Sequence, residues 1–328
     1  STPANMPMER YMWTGDAADK DWANVNNWSS FTLPTSVNNA IITLGRTTYP
    51  ELNTSANATA GNLDIQAGAH LYLAPNKGLT ASGTTTITDA QALRVLADAS
   101  GVGSFIDNGT ITYGGSGSAT VQTFVENNGS VGAYYMHQVG PTVMQTPPGT
   151  GVYLSAFDLD VLGTYAYYYQ QSSNTWVNIY DPSTVVPTGK GLILSTTDAT
   201  DYTINMTGTL LTGSVASPAL GFGGSNVDLI SNPYPSSVDF ELLYSAHSSV
   251  IGTSYYIWRP ALGSYGVYTA TIGGDFPKEI KPGQGFFLTS LSSSPVTFQN
   301  AYRTHSTGAL VKDVVPYLLS LEVTGNTF

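Results

Sequence analysis

Side chains suited to acid–base or nucleophilic chemistry are few in this chain, and their placement is informative. The four histidines are His70, His137, His247 and His305. Nucleophilic catalysis needs a nucleophile held by a base, and a base held by an orienting group. None of the four sits in such a motif, and the chain contains no Gly-x-Ser-x-Gly elbow. Glycoside hydrolysis needs two carboxylates roughly 5–10 Å apart. Asp158 and Asp160 share one face of any strand that holds them, but the expected setting is an exposed strand end. Asp16, Asp19 and Asp21 crowd one loop between Gly15 and Trp22. A short loop with several oxygens suits a hard cation, so calcium is the one cofactor suggested. The spacing departs from the EF-hand pattern, and solvated loop carboxylates are the favoured reading. The sequence therefore predicts no catalytic constellation.

Aromatic side chains are the richer resource. Trp13, Trp22, Trp28, Trp176 and Trp258 accompany 21 tyrosines, and flat apolar rings can serve as platforms for sugar rings. Strand alternation in Trp176-Val177-Asn178-Ile179-Tyr180 places Val177 and Ile179 on one face and Trp176 and Tyr180 on the other. If the aliphatic pair faces a core, Trp176 and Tyr180 point outward. Tyr265 and Tyr268 are their partial counterparts further along the chain. These four are the candidate ligand-binding residues, whereas Trp13, Trp22 and Trp28 are expected in a core or interface. The Gly-rich stretches Gly114-Gly115-Ser116-Gly117 and Gly189-Lys190-Gly191 precede strands, not helices, so they are not phosphate loops. Their expected task is to permit positive φ in a bend.

The elements that carry these residues are β-strands. With 34 glycines and 18 prolines, and β-branched and aromatic residues between them, the pattern is all-β. Helical turns are expected only over Asp89–Ala97 and Ser237–Ser245. Up to about residue 125, short apolar pairs alternate with Gly- or Asn-containing turns: Leu63-x-Ile65, Leu71-x-Leu73, Leu93-x-Val95. Strands this short bury a continuous core only by stacking as rungs, which predicts a β-solenoid-like domain over residues 1–126; a small irregular β domain is the alternative. Further on, Val186–Leu194 matches Ile280–Leu288 at an offset of 94, and Val139-Gly140-Pro141 matches Ser231-Asn232-Pro233 at an offset of 92. Two Tyr-rich strands lie between the anchors of each copy. The duplication predicts a β-sandwich (jelly-roll-like) over residues 127–316, with copies at about 135–212 and 227–305. Residues 317–328 read as the start of a following strand or linker.

Composition narrows the partners. Lys and Arg number 11 against 22 Asp and Glu, a net charge of −11, and only 10% of residues are charged. A sparse acidic surface repels phosphate backbones and anionic lipid, which argues against nucleic acid. No apolar run approaches the ~20 residues that span a bilayer as a helix, so membrane insertion is not expected. The chain has no cysteine, which excludes disulfides and thiolate chemistry. No signal peptide is visible, so Ser1 reads as the start of a mature chain.

Several motifs carry a resemblance. Trp13-Thr14-Gly15, Asp21-Trp22, Asn27-Trp28, Leu33-Pro34 and Tyr49-Pro50-x-Leu52 resemble the opening of large secreted surface proteins of Bacteroidetes. So do Asn232-Pro233-Tyr234-Pro235-Ser236-Ser237-Val238-Asp239-Phe240, Pro282-Gly283-Gln284-Gly285-Phe286-Phe287 and Arg303-Thr304-His305. The resemblance implies export by the type IX secretion system and display at the cell surface. Leu321–Phe328 then looks like the first strand of a following domain in a longer protein. Two functions fit. One is a non-enzymatic structural or adhesive building block, a surface or filament protein that docks to copies of itself or to other surface proteins through strand edges. The other is a carbohydrate-binding accessory module of a polysaccharide-active enzyme, with glycans as partners.

Overall fold

In the computed structural model, residues 10–54, 57–127, 135–159, 164–196 and 200–310 are described. The first strands are β1 (Arg10–Trp13), β2 (Asn39–Ile42), β3 (Glu51–Leu52), β4 (Asn57–Ala60), β5 (Leu63–Ile65), β6 (Leu71–Leu73) and β7 (Gly78–Ala81). Next come β8 (Thr85–Ile87), β9 (Leu93–Val95), the small hairpin β10 (Ala97–Asp98) and β11 (Gly101–Val102), β12 (Ser104–Asp107), β13 (Ile111–Tyr113) and β14 (Ala119–Val125). They stack in three parallel sheets, ordered β1-β2-β5-β8-β13, β3-β6-β9-β14 and β4-β7-β12. This is the solenoid-like arrangement that the short apolar pairs predict. Leu63, Ile65, Leu71, Leu73, Leu93 and Val95 all point inward and are fully buried. Each contributes about 1.5–3 kcal/mol by leaving water, and only stacked rungs let so short a strand do so. Trp13, Trp22 and Trp28 plug the β1 end of the coil. Their rings meet edge-to-face at 5.4 and 4.7 Å, and two indole N–H groups donate to the Thr48 and Trp22 carbonyls.

Downstream strands are β15 (Tyr135–Val139), β16 (Val143–Met144), β17 (Gly151–Tyr153), β18 (Tyr165–Gln170), β19 (Thr175–Ile179), β20 (Val185–Pro187), β21 (Leu192–Thr196) and β22 (Tyr202–Leu210). They are followed by β23 (Val215–Ala216), β24 (Val227–Ser231), β25 (Ser237–Asp239), β26 (Ile251–Arg259), β27 (Ser264–Thr269), β28 (Gly273–Gly274), β29 (Glu279–Ile280), β30 (Gly285–Ser290), β31 (Thr297–Phe298) and β32 (Arg303–Thr304). Two antiparallel sheets share one strand order, β15-β21-β18-β19 and β24-β30-β26-β27, the second extended by β28. They meet through reciprocal backbone bonds: Ser231 N–H donates to the Gly189 carbonyl and Gly140 N–H to the Gly283 carbonyl, each at 2.9 Å. Gly189 and Gly283 hold φ of +73° and +67°, the bend role expected of Gly189-Lys190-Gly191.

The hydrophobic interior crosses residue 126. One cluster joins Leu71, Leu93 and Val121 of the coil to Val139, Leu192 and Ile204 beyond it, and β14 pairs antiparallel with β22 along seven residues, Ala119↔Gly208 to Val125↔Tyr202. A second cluster lies under the other sheet around Tyr255, Phe286 and Phe298. Helix α1 spans Phe240–His247, within two or three residues of the expected turn, and Asp239 caps it by accepting from the Glu241 and Leu242 amides. Asp89–Ala97 is not helical. It carries β9, because Leu93 and Val95 continue the inward row of Leu71 and Leu73.

Candidate functional site: an aromatic groove between two sheets

Each antiparallel sheet turns one face to a core and the other toward its neighbour. In β18, Ala166 enters the core while Tyr167 and Tyr169 take the opposite face; in β21, Leu192 and Leu194 enter and Ile193 does not. In β26, Tyr255 and Ile257 are buried under their sheet, and Tyr256 points the other way. The facing surfaces close at their base on Ile193, Leu229 and Phe287. Above that base lies an open groove with two adjoining hollows of about 430 and 400 Å³. Trp176 and Tyr265 line both hollows.

The rings are arranged in equivalent pairs. Trp176 is the cross-strand partner of Tyr169, and Tyr265 is that of Trp258. The pairs meet edge-to-face at 5.4 and 5.2 Å, and Phe287 lies 5.3–5.9 Å from Tyr169, Trp176 and Tyr265. Each hairpin thus supplies one Trp and one Tyr in exchanged positions. Polar groups on the lining are neutral: Asn174, Ser195, Ser225 and Thr289. The nearby Arg259 guanidinium is paired with Asp275 at 3.4 Å. Such a surface offers ring faces and hydrogen bonds to a ligand but no charge.

Of the four candidate residues, Trp176 and Tyr265 come together in this groove, 42% and 44% exposed. Tyr180 lies one residue past the end of β19, 78% exposed and outside the groove lining. Tyr268 is a correction. It is 7% exposed, stacked on Tyr255 in the core, and its hydroxyl donates to Glu241. Strand parity explains this, since residues three apart point to opposite faces and Tyr265 holds the groove face. Trp258 and Tyr169 entered the site through cross-strand register, which alternation within one strand does not reveal.

The remaining candidates are engaged locally. Asp19 accepts from Asn24 and Asn27 side chains at 2.7 and 2.6 Å, and these bonds hold its carboxyl below the usual range. Asp21 accepts from the Thr54 hydroxyl at 2.8 Å. These loop carboxylates brace the β1 end of the coil, and among the described residues no group of three metal-ligating side chains converges. Asp158 takes a left-handed backbone after a 3-10 turn; Asp160 lies outside the described residues, as does the expected strand 317–328. The histidines are dispersed. His137 contacts the Glu126 carbonyl, and His247 bridges the Leu243 carbonyl and the Thr297 amide. His70 packs edge-on against Tyr49. His305 is wedged between the Thr80 and Ser104 hydroxyls at 2.9 and 2.7 Å, where burial and Arg303 depress it to about 4.

The motif residues around Asn232 and Arg303 form an internal joint. Asn232 Nδ2 donates to the carbonyls of Ser236, Ile280 and Lys281, and its Oδ1 accepts from the Tyr234 amide. Arg303 reaches the Phe105 and Asp107 carbonyls of the coil and the Ser236 hydroxyl.

No curated protein and no solved structure matches the chain. Residues 12–311 match the family described as a domain of unknown function, DUF8693, and the chain belongs to that family.

Proposed function

We propose that this protein is a non-enzymatic, extracellular surface module whose inter-sheet groove binds a neutral glycan. The observation that carries the reading is the pair of equivalent Trp–Tyr contacts, Tyr169–Trp176 and Trp258–Tyr265, on an open groove lined by uncharged side chains. Apolar ring faces stack on sugar rings, and neutral amides and hydroxyls serve their hydroxyl groups. The extracellular placement draws support from the resemblance to secreted surface proteins and from the absence of cysteine. The two antiparallel sheets read as a duplicated sandwich, supported by their shared strand order and reciprocal seam. A glycan array with the wild type and Trp176→Ala tests the reading. The expected result is selective binding, weakened at least about tenfold by the substitution, because truncating an anchoring aromatic commonly costs more than 1 kcal/mol. Absence of glycan binding, or binding indifferent to Trp176→Ala, refutes it.

A structural role in a coat or filament is the second reading. Among the described residues β13 ends its parallel sheet with no further strand beside it, and such an edge can receive a strand from another copy or another surface protein. Light scattering across a concentration series separates the two, since assembly raises the mass whether or not glycan is present.

A further inference from the structure

The two hollows of the groove differ in chemistry. The one between Tyr169, Tyr256 and Thr289 is edged by Asn174 and Ser225. The other is lined by Met136, Tyr167, Ile193, Ser195 and Trp258, with Trp176 and Tyr265 shared. There the surroundings are apolar, and a bare hexose with a hydroxyl on nearly every carbon would bury hydroxyls without partners. Yet two polar atoms at this place have no partner. Ser195 is 2% exposed and its Oγ makes no hydrogen bond. Gln138, the cross-strand neighbour of Ile193, uses its Oε1 to accept from the Trp258 amide at 2.5 Å, and its Nε2 is buried without a partner. Buried polar groups gain from a partner, and of these two Ser195 is the one on the wall of the hollow, where an acceptor on a ligand would satisfy it. Turning Ser195 about χ1 toward the groove breaks no hydrogen bond.

An apolar pocket with a hydroxyl donor on its wall is complementary to an acetamido group. The methyl packs on Met136, Ile193 and the Trp rings, and the carbonyl oxygen accepts from Ser195. We propose that this hollow is a specificity subsite for the N-acetyl group of a neutral N-acetylated amino sugar. The proposal rests on the glycan-binding reading of the groove and names the ligand class for it.

Calorimetric titration of the whole chain with the β1,4-linked tetrasaccharide of N-acetylglucosamine, and with the matching glucose tetrasaccharide, tests it. The acetylated ligand is expected to bind at least about tenfold more tightly, a preference worth one well-made hydrogen bond and one buried methyl. Ser195→Ala should reduce that preference about three- to tenfold. Met136 is 38% exposed, so Met136→Trp should close the hollow without disturbing the fold and abolish the preference. Equal, Trp176-dependent binding of both ligands overturns the subsite and leaves the groove reading intact. Binding of neither ligand, in a protein that also fails on the glycan array, overturns the groove reading itself.

Discussion

Arg303 is 9% exposed, and its guanidinium is spent on neutral acceptors. It donates to the Phe105 carbonyl at 2.7 Å, the Ser236 hydroxyl at 2.9 Å and the Asp107 carbonyl at 3.3 Å, and lies 4.9 Å from the centre of the Tyr234 ring. Desolvation pulls its pKa down to about 10, so it stays charged at neutral pH. The fork geometry serves acceptors on two sides of a seam, which an ammonium cannot do. Arg303→Ala is therefore expected to destabilise the protein by about 3 kcal/mol or more, from orphaned carbonyls and a residual cavity. Arg303→Lys should recover little of it. Chemical denaturation of the three proteins checks this; a change within about 0.5 kcal/mol for Arg303→Ala would show the joint to be dispensable.

At the scale of elements, the seam between the antiparallel sheets depends on a backbone with no side chain. A Cβ on Gly285 would stand 2.9 Å from the Gln138 carbonyl carbon and the Val139 nitrogen, both main-chain atoms of β15. Main chain cannot yield as a side-chain tip does, so Gly285→Val must separate the sheets. A loss of about 1–3 kcal/mol is expected, with weaker ligand binding because the groove spans that seam. Gly114→Ala, whose Cβ would meet nothing nearer than a Thr88 methyl at 3.5 Å, should stay within about 0.5 kcal/mol in the same melts. The bends at Gly189 and Gly283 were visible in the sequence because the Gly-x-Gly stretch recurs at a fixed offset, whereas the close approach at Gly285 depends on which strand faces it. The rungs were visible because Leu63/Ile65, Leu71/Leu73 and Leu93/Val95 repeat one inward pattern. By contrast, the pairing of β14 with β22 rests on contacts such as Thr120–Thr207 and Gln122–Asn205, which any Thr- or Asn-rich strand offers, so nothing local encodes it. The groove was half legible: alternation finds Trp176, but Trp258, Tyr169 and Ser195 become neighbours only once the sheets face each other.

At the scale of the whole molecule, the coil and the second sheet are held together where His305 enters the coil between Thr80 and Ser104. Both hydroxyls can bond a neutral ring, and Arg303 nearby opposes a second positive charge. In the unfolded chain the ring titrates near 6.5, and in the folded protein near 4. Above pH 6.5 both states hold it neutral and the joint has its full strength. As pH falls from 6.5 toward 4 only the unfolded chain takes up the proton, so stability declines; below 4 both states bind it and this contribution is flat. The shift sets an upper bound of about 3 kcal/mol on the loss. Carboxylates titrate in the same window, so the comparison that isolates the effect is with His305→Gln, which can still bond a hydroxyl but takes up no proton. Wild type should lose stability more steeply than His305→Gln between pH 6.5 and 4 and run parallel to it above pH 7. Parallel curves across the whole range would mean that folding does not depress the His305 ring. The acid sensitivity would then have to come from the carboxylates, such as Asp19 and Asp98, whose native hydrogen bonds hold them below the ordinary range.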